Sequence, residues 1–157
     1  MRDSNTERST SQSMDKEVIR NLVRWMSNRH NIELDYIRIG SNQKTRYGSA
    51  SYRHSLMTNE VERLSVSIST YNTNGSSDYW NENTKIEILN TIIHEFAHLY
   101  FMKDGFNPGH GSQWQKVYHQ MIAEDWQEMV EMYNILAVDD LSNDWDTLAG
   151  HLGLRNH

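Results

Sequence analysis

The chain contains no cysteine. Disulfides and thiolate-ligated metal sites are therefore excluded, and the composition fits a cytoplasmic, intracellular protein. Proline occurs once among the 157 residues, at Pro108. No apolar run approaches the ~20 residues of a membrane-spanning helix. The amino terminus lacks the apolar core of a signal peptide, so no membrane partner is expected. A generally basic surface is missing too. Met1 to His54 holds 10 Lys and Arg against 6 Asp and Glu, or +4, and Ser55 to His157 holds 5 against 15, or −10, which together give the net charge of −6. An acidic carboxyl-terminal portion of that kind argues against a broad nucleic-acid footprint. The 5 Trp and 8 Tyr argue against global disorder. The length fits one domain with a real core, read as residues 14–157 behind a disordered polar tail over residues 1–13.

One stretch carries chemistry: Thr91-Ile92-Ile93-His94-Glu95-Phe96-Ala97-His98-Leu99-Tyr100. With 8 His and 11 Glu in the chain, a His-Glu-x-x-His pattern arises by chance about 0.03 times, so helical context decides its meaning. That context is present. Thr84 and Glu87 fit a capping box before an apolar run. Ile88, Leu89, Ile92, Ile93, Phe96, Ala97 and Leu99 cover most of the helix circumference, which predicts a helix buried on nearly all sides. On it, His94 and His98 share a face and can turn imidazoles toward one ion. Glu95 stands beside the first ligand, where it can reach water at the metal and act as general base. Without a metal or a cleft these three polar groups would be poorly satisfied in such a core.

Catalytic zinc usually takes three protein ligands and keeps an open position. The metzincin spacing fails, because Asp104 stands where a third histidine would be. His110 lies twelve residues beyond His98, in a segment made turn-rich by Gly105, Pro108, Gly109 and Gly111. A glutamate from the next helix, Glu124 or Glu128, is the other source. Proximity and flanking glycines favour His110. The expected cofactor is one Zn²⁺ per chain.

His94-Glu95-Phe96-Ala97-His98, followed after a short loop by His110-Gly111-Ser112-Gln113-Trp114, resembles the SprT-like (Spartan-type) zinc metalloproteases. Arg46 to Ala50 and Leu64 to Ser69 are similar to the two strands that precede the metal helix in that family. The resemblance spans Asp15 to Tyr133. It implies a zincin-like domain that hydrolyses peptide bonds, with His94, His98 and His110 as zinc ligands and Glu95 as base. Its implied partners are a protein or peptide substrate and, through the family's action on DNA-bound proteins, nucleic acid. Many members carry a cysteine-ligated zinc ribbon after the protease domain, and a chain without cysteine cannot build one. The alternative class is a non-catalytic zinc-containing binding or adaptor protein. Its structural zinc would be closed by four protein ligands.

The remaining segments predict an α+β fold. Asp15 caps a helix to about Asn28, with Val18, Ile19, Leu22, Val23 and Met26 as its buried stripe and Arg20, Arg24 and Arg29 toward solvent. Glu33 to Ile39 and Thr45 to Arg53 read as two strands of a hairpin, with Gly48 marking a bulge. Glu62 to Thr70 alternates Leu64, Val66 and Ile68 against Ser65, Ser67 and Ser69, a half-buried strand able to border a cleft. The sheet is expected to be small and antiparallel. Tyr71 to Glu82 reads as a long loop. A second long helix runs from beyond His110 to about Leu136, with Tyr118 as a core residue or an oxyanion donor. An acidic linker, Asp139 to Asp146, leads to a short final helix with Trp145, Leu148, Ala149 and Leu152.

Overall fold

A computed structural model describes residues 15–40, 47–72, 81–82 and 84–137. The expected polar tail, the acidic linker and the final helix lie outside these residues. Helix α1 spans Lys16–His30. The side chain of Asp15 accepts the Glu17 N–H at its start, and left-handed Asn31 ends it. Its stripe of Val18, Ile19, Leu22, Val23 and Met26 is buried as the spacing requires.

Three strands follow, β1 (Tyr36–Gly40), β2 (Gly48–His54) and β3 (Val61–Ser69), in the order β1-β3-β2. The predicted β1–β2 hairpin is corrected here, because β3 lies between the two strands. The sheet is also mixed rather than antiparallel: β1 runs parallel to β3, Tyr36 opposite Ser65, while β2 runs antiparallel to it, Ser49 opposite Ser67. Asp35 ties the start of β1 to β3 twice. Its N–H donates to the Leu64 carbonyl, and its Oδ2 accepts the Leu64 N–H, both at 2.8 Å. The register irregularity in β2 falls at Arg53/His54, not at Gly48. Leu64, Val66 and Ile68 of β3 are buried, as the alternation predicts.

The segment read as a long loop carries a two-residue antiparallel pair, β4 (Tyr71–Asn72) with β5 (Asn81–Glu82). Helix α2 (Lys85–Met102) opens with the predicted capping box. Thr84 Oγ1 accepts the Glu87 N–H at 3.1 Å, and Glu87 Oε1 accepts the Thr84 N–H at 2.7 Å. It closes at Gly105, whose φ of 81° suits glycine. There the Gly105 N–H donates to the Met102 carbonyl and the Phe106 N–H to the Phe101 carbonyl, a Schellman pattern. Helix α3 (Ser112–Leu136) packs along α2. The sheet covers another side of α2 through β2 and β3, and α1 contacts both β1 and α3. Hence α2 is the central helix of the core. Ile88, Ile92, Ile93, Phe96, Ala97 and Leu99 are almost fully buried.

Arg29 is exposed, as its angle on the helix predicts, and its guanidinium also reaches α3. Its Nε reaches Asp125 Oδ1 of α3 at 2.5 Å, and one of its Nη atoms reaches Glu128 Oε2 at 2.7 Å. His30 Nε2 lies 2.6 Å from the other Asp125 oxygen. Asp125 is fully buried and carries both partners, so this cluster ties the end of α1 to the middle of α3. The bond to Asp125, foremost, raises the Arg29 pKa further.

Candidate metal centre

The buried helix brings its two histidines to one cleft. His94 is half-buried and His98 is buried, one turn apart on α2. The Gly105 turn sends the chain back over the end of α2, and left-handed Gly109 (φ 69°) sets His110 against them. His98 Nε2 lies 3.0 Å from His110 Nε2, which lies 3.2 Å from His94 Nε2. Three nitrogens at the corners of a tetrahedron around zinc, each at about 2.05 Å, would stand about 3.3 Å apart. The two spacings that involve His110 are close to that, and the three candidate ligand atoms all lie within 4.8 Å of one another.

The donor set fits a cation. Two imidazoles can share one proton, but three converging Nε2 atoms cannot all be satisfied by N–H···N bonds. Burial, and then the neighbouring His110, lowers the His94 pKa. Burial, then His94 and His110, pushes His98 down to about 4. Both rings are therefore neutral near pH 7 with lone pairs available. On His98 the opposite nitrogen, Nδ1, is buried with no hydrogen-bond partner among the described residues, so no protein group there fixes its tautomer. Among the described residues, His94, His98 and His110 form a group able to hold a metal ion.

Trp114 is the wall behind this triangle. Its indole stacks on His98 at 5.0 Å between centroids and meets His94 and His110 edge-on at 4.7 Å each. The aromatic residue four positions past His110 thus holds all three rings. Tyr118 stacks in turn on Trp114, at 4.9 Å and 8° between planes.

The histidines open into a cleft of about 570 Å³, lined by Tyr47, Gly48, Ser49 and Ala50 of the β2 side, Asn90, Thr91 and Glu95 of α2, and the 107–110 loop. Glu95 is buried on the side of α2 that β2 approaches. A Cβ on Gly48 would lie 2.7 Å from Thr91 Cγ2 and 3.4 Å from Glu95 Cγ, so glycine allows strand and helix to touch at the glutamate.

The sequence left the third ligand open between His110, Glu124 and Glu128, and the structure brings only His110 to the other two. Glu128 is engaged by Arg29, and Glu124 Oε2 accepts from Gln120. His54, on β2, packs against Tyr52 and Gly105. The Tyr118 hydroxyl donates to Asn90 Oδ1, so its proton is already committed. The strand bordering the cleft is β2, not β3, because β3 is flanked on both sides. Sequence reading passed over Asn90. The signal was there: it precedes His94 by four residues and so shares the metal-facing side of the helix.

A family model described as the SprT-like family matches residues 13–134. The chain belongs to the SprT-like family. Its members are metallopeptidase-like, and the metal-capable histidines of this SprT-like chain fall inside the matched residues. No curated protein and no solved structure gives a significant match. No helix among the described residues is long and apolar enough to cross a membrane.

Proposed function

We propose that this SprT-like protein is a zinc-dependent metallopeptidase of zincin-like architecture, with His94, His98 and His110 holding the ion through Nε2. The convergence of those three nitrogens at 3.0 and 3.2 Å carries the reading. Bound zinc supplies Lewis acidity, which makes water a nucleophile near neutral pH and stabilises developing negative charge.

The chain's own groups supply the rest. Glu95, adjacent to the first ligand and lining the cleft, takes the proton from the attacking water and later gives it to the leaving amine. The substrate is an extended peptide along the free side of β2. The Ser69 N–H donates to the Tyr47 carbonyl at 2.8 Å, which fixes Tyr47, Ser49 and Ser51 as the positions bonded to β3. The main-chain groups of Gly48 and Ala50 therefore point the other way, toward the cleft edge. No described strand pairs with that edge. A peptide can add there as a further strand, its carbonyl carried over the histidines.

The test pairs metal analysis with proteolysis. Purified protein should carry about one zinc per chain by mass spectrometry and digest casein. Glu95→Gln should keep the zinc and lose at least about 100-fold in kcat. Full activity in that variant refutes Glu95 as the base, and protein that neither holds zinc nor cuts casein refutes the peptidase reading.

A further inference from the structure

Asn90 occupies a place the metal site does not explain. It stands one turn before His94 on the same side of α2 and lines the cleft, half-buried. Its Oδ1 accepts the Tyr118 hydroxyl proton. That bond fixes the carboxamide: the oxygen faces α3, and Nδ2 with its two N–H groups remains for the cleft. Tyr118 is itself held flat against Trp114, which touches all three histidines. The donor on Asn90 is thus set in a fixed relation to the ligand triangle.

A step of four helical positions leads from Asn90 to His94, or about 6 Å along the axis. An extended peptide covers about 3.3 Å per residue. A chain passing the histidines along α2 therefore presents a main-chain carbonyl near Asn90 about two residues from the bond at the metal.

We propose that Asn90, oriented by Tyr118, is a substrate-binding residue that donates its Nδ2–H to a main-chain carbonyl of the bound peptide, about two residues from the bond that is cut. This rests on the peptidase reading. Tyr118 is a positioning residue. The competing role is a plain strut between α2 and α3, and Asn90→Asp separates the two. Aspartate still accepts the Tyr118 proton and keeps the strut, but it has no N–H to offer.

The probe is fluorescein-labelled β-casein, read two ways. Cleavage by the zinc-loaded protein gives kcat and KM. Anisotropy with the Glu95→Gln background gives binding without turnover. Asn90→Asp should raise KM and the dissociation constant about tenfold, the equivalent of one hydrogen bond. Its kcat should stay within about twofold and its melting temperature near wild type. Tyr118→Phe should raise KM about threefold, and the double variant should be no worse than Asn90→Asp alone. Unchanged KM and binding in Asn90→Asp overturn the proposal, as does a Glu95→Gln protein that binds no casein. If wild type cuts casein while Asn90→Asp matches it, only the Asn90 assignment fails. If wild type cuts nothing, the peptidase reading fails and the assignment, which is placed relative to the cut bond, falls with it.

Discussion

Gly48 sits where no side chain fits. A Cβ there would lie 2.7 Å from the Ser67 carbonyl oxygen as well as from Thr91 Cγ2. A threonine methyl can shift, but a backbone carbonyl in the sheet cannot move without its strand. Gly48→Ala should therefore cost about 1–3 kcal/mol of unfolding free energy, typical of overpacking. It should also lower kcat by pushing β2 away from Glu95. Urea melts and casein kinetics check both, and an unchanged midpoint with unchanged kcat would contradict the close contact. The candidate-site residues were the legible ones: His94, Glu95 and His98 announce themselves by spacing on an apolar helix, and His110 by its glycine-rich loop. Gly48 and Asn90 were not. One is required by a strand that approaches from elsewhere in the chain, and the other is an ordinary asparagine until Tyr118 meets it.

The helices were legible as elements because caps and periodicity are local. Thr84 and Glu87 opened α2 as read, and the apolar circumference correctly placed it at the centre of the core. The sheet was not. Alternation in β3 reports which residues face the core, and it says nothing about neighbours on either edge. The hairpin expected between β1 and β2 gave way to a third strand inserted between them, which has one parallel and one antiparallel partner. Arg29 faces solvent as its angle on α1 implies, but that angle does not reveal that α3 supplies Asp125 beside it. Asp125→Ala would leave Arg29 and His30 beside an apolar gap. It should destabilise the protein by about 1.5–3 kcal/mol, the scale of hydrogen bonds to a charged group. Chemical denaturation measures this, and a loss under 1 kcal/mol would show the tie between α1 and α3 to be dispensable.

For the molecule as a whole, the candidate metal site joins what the chain separates. Two of its histidines come from the most buried helix and the third from the loop leading into α3. A ligand that binds only the folded state at 100 times its Kd adds about 2.7 kcal/mol. Zinc at that excess should raise the melting temperature by about 5–10 °C, and His110→Ala should abolish most of the rise. An equal rise in that variant would remove His110 from the site. Acid acts through the same rings. His98 titrates near 4 in the folded metal-free protein, against about 6.5 in an unfolded chain. Between those values the unfolded chain takes up the proton and the folded one does not. The metal-free protein therefore loses stability as pH falls from 6.5 to 4, and the loss levels off below that. The difference between wild type and His98→Asn in urea midpoint, measured in chelator at pH 7.5, 5.5 and 4, isolates this effect. A difference that does not change with pH would contradict it.

Where β2 meets α2 there is no padding. The strand proposed to receive the peptide leans, through a bare glycine, on the helix turn that carries the proposed base. Grip and cut then share one mechanical joint. A guest that seats out of register tilts the strand and carries the carboxylate off line, so it is held yet spared. In such a protease, fidelity would be read in turnover rather than in affinity.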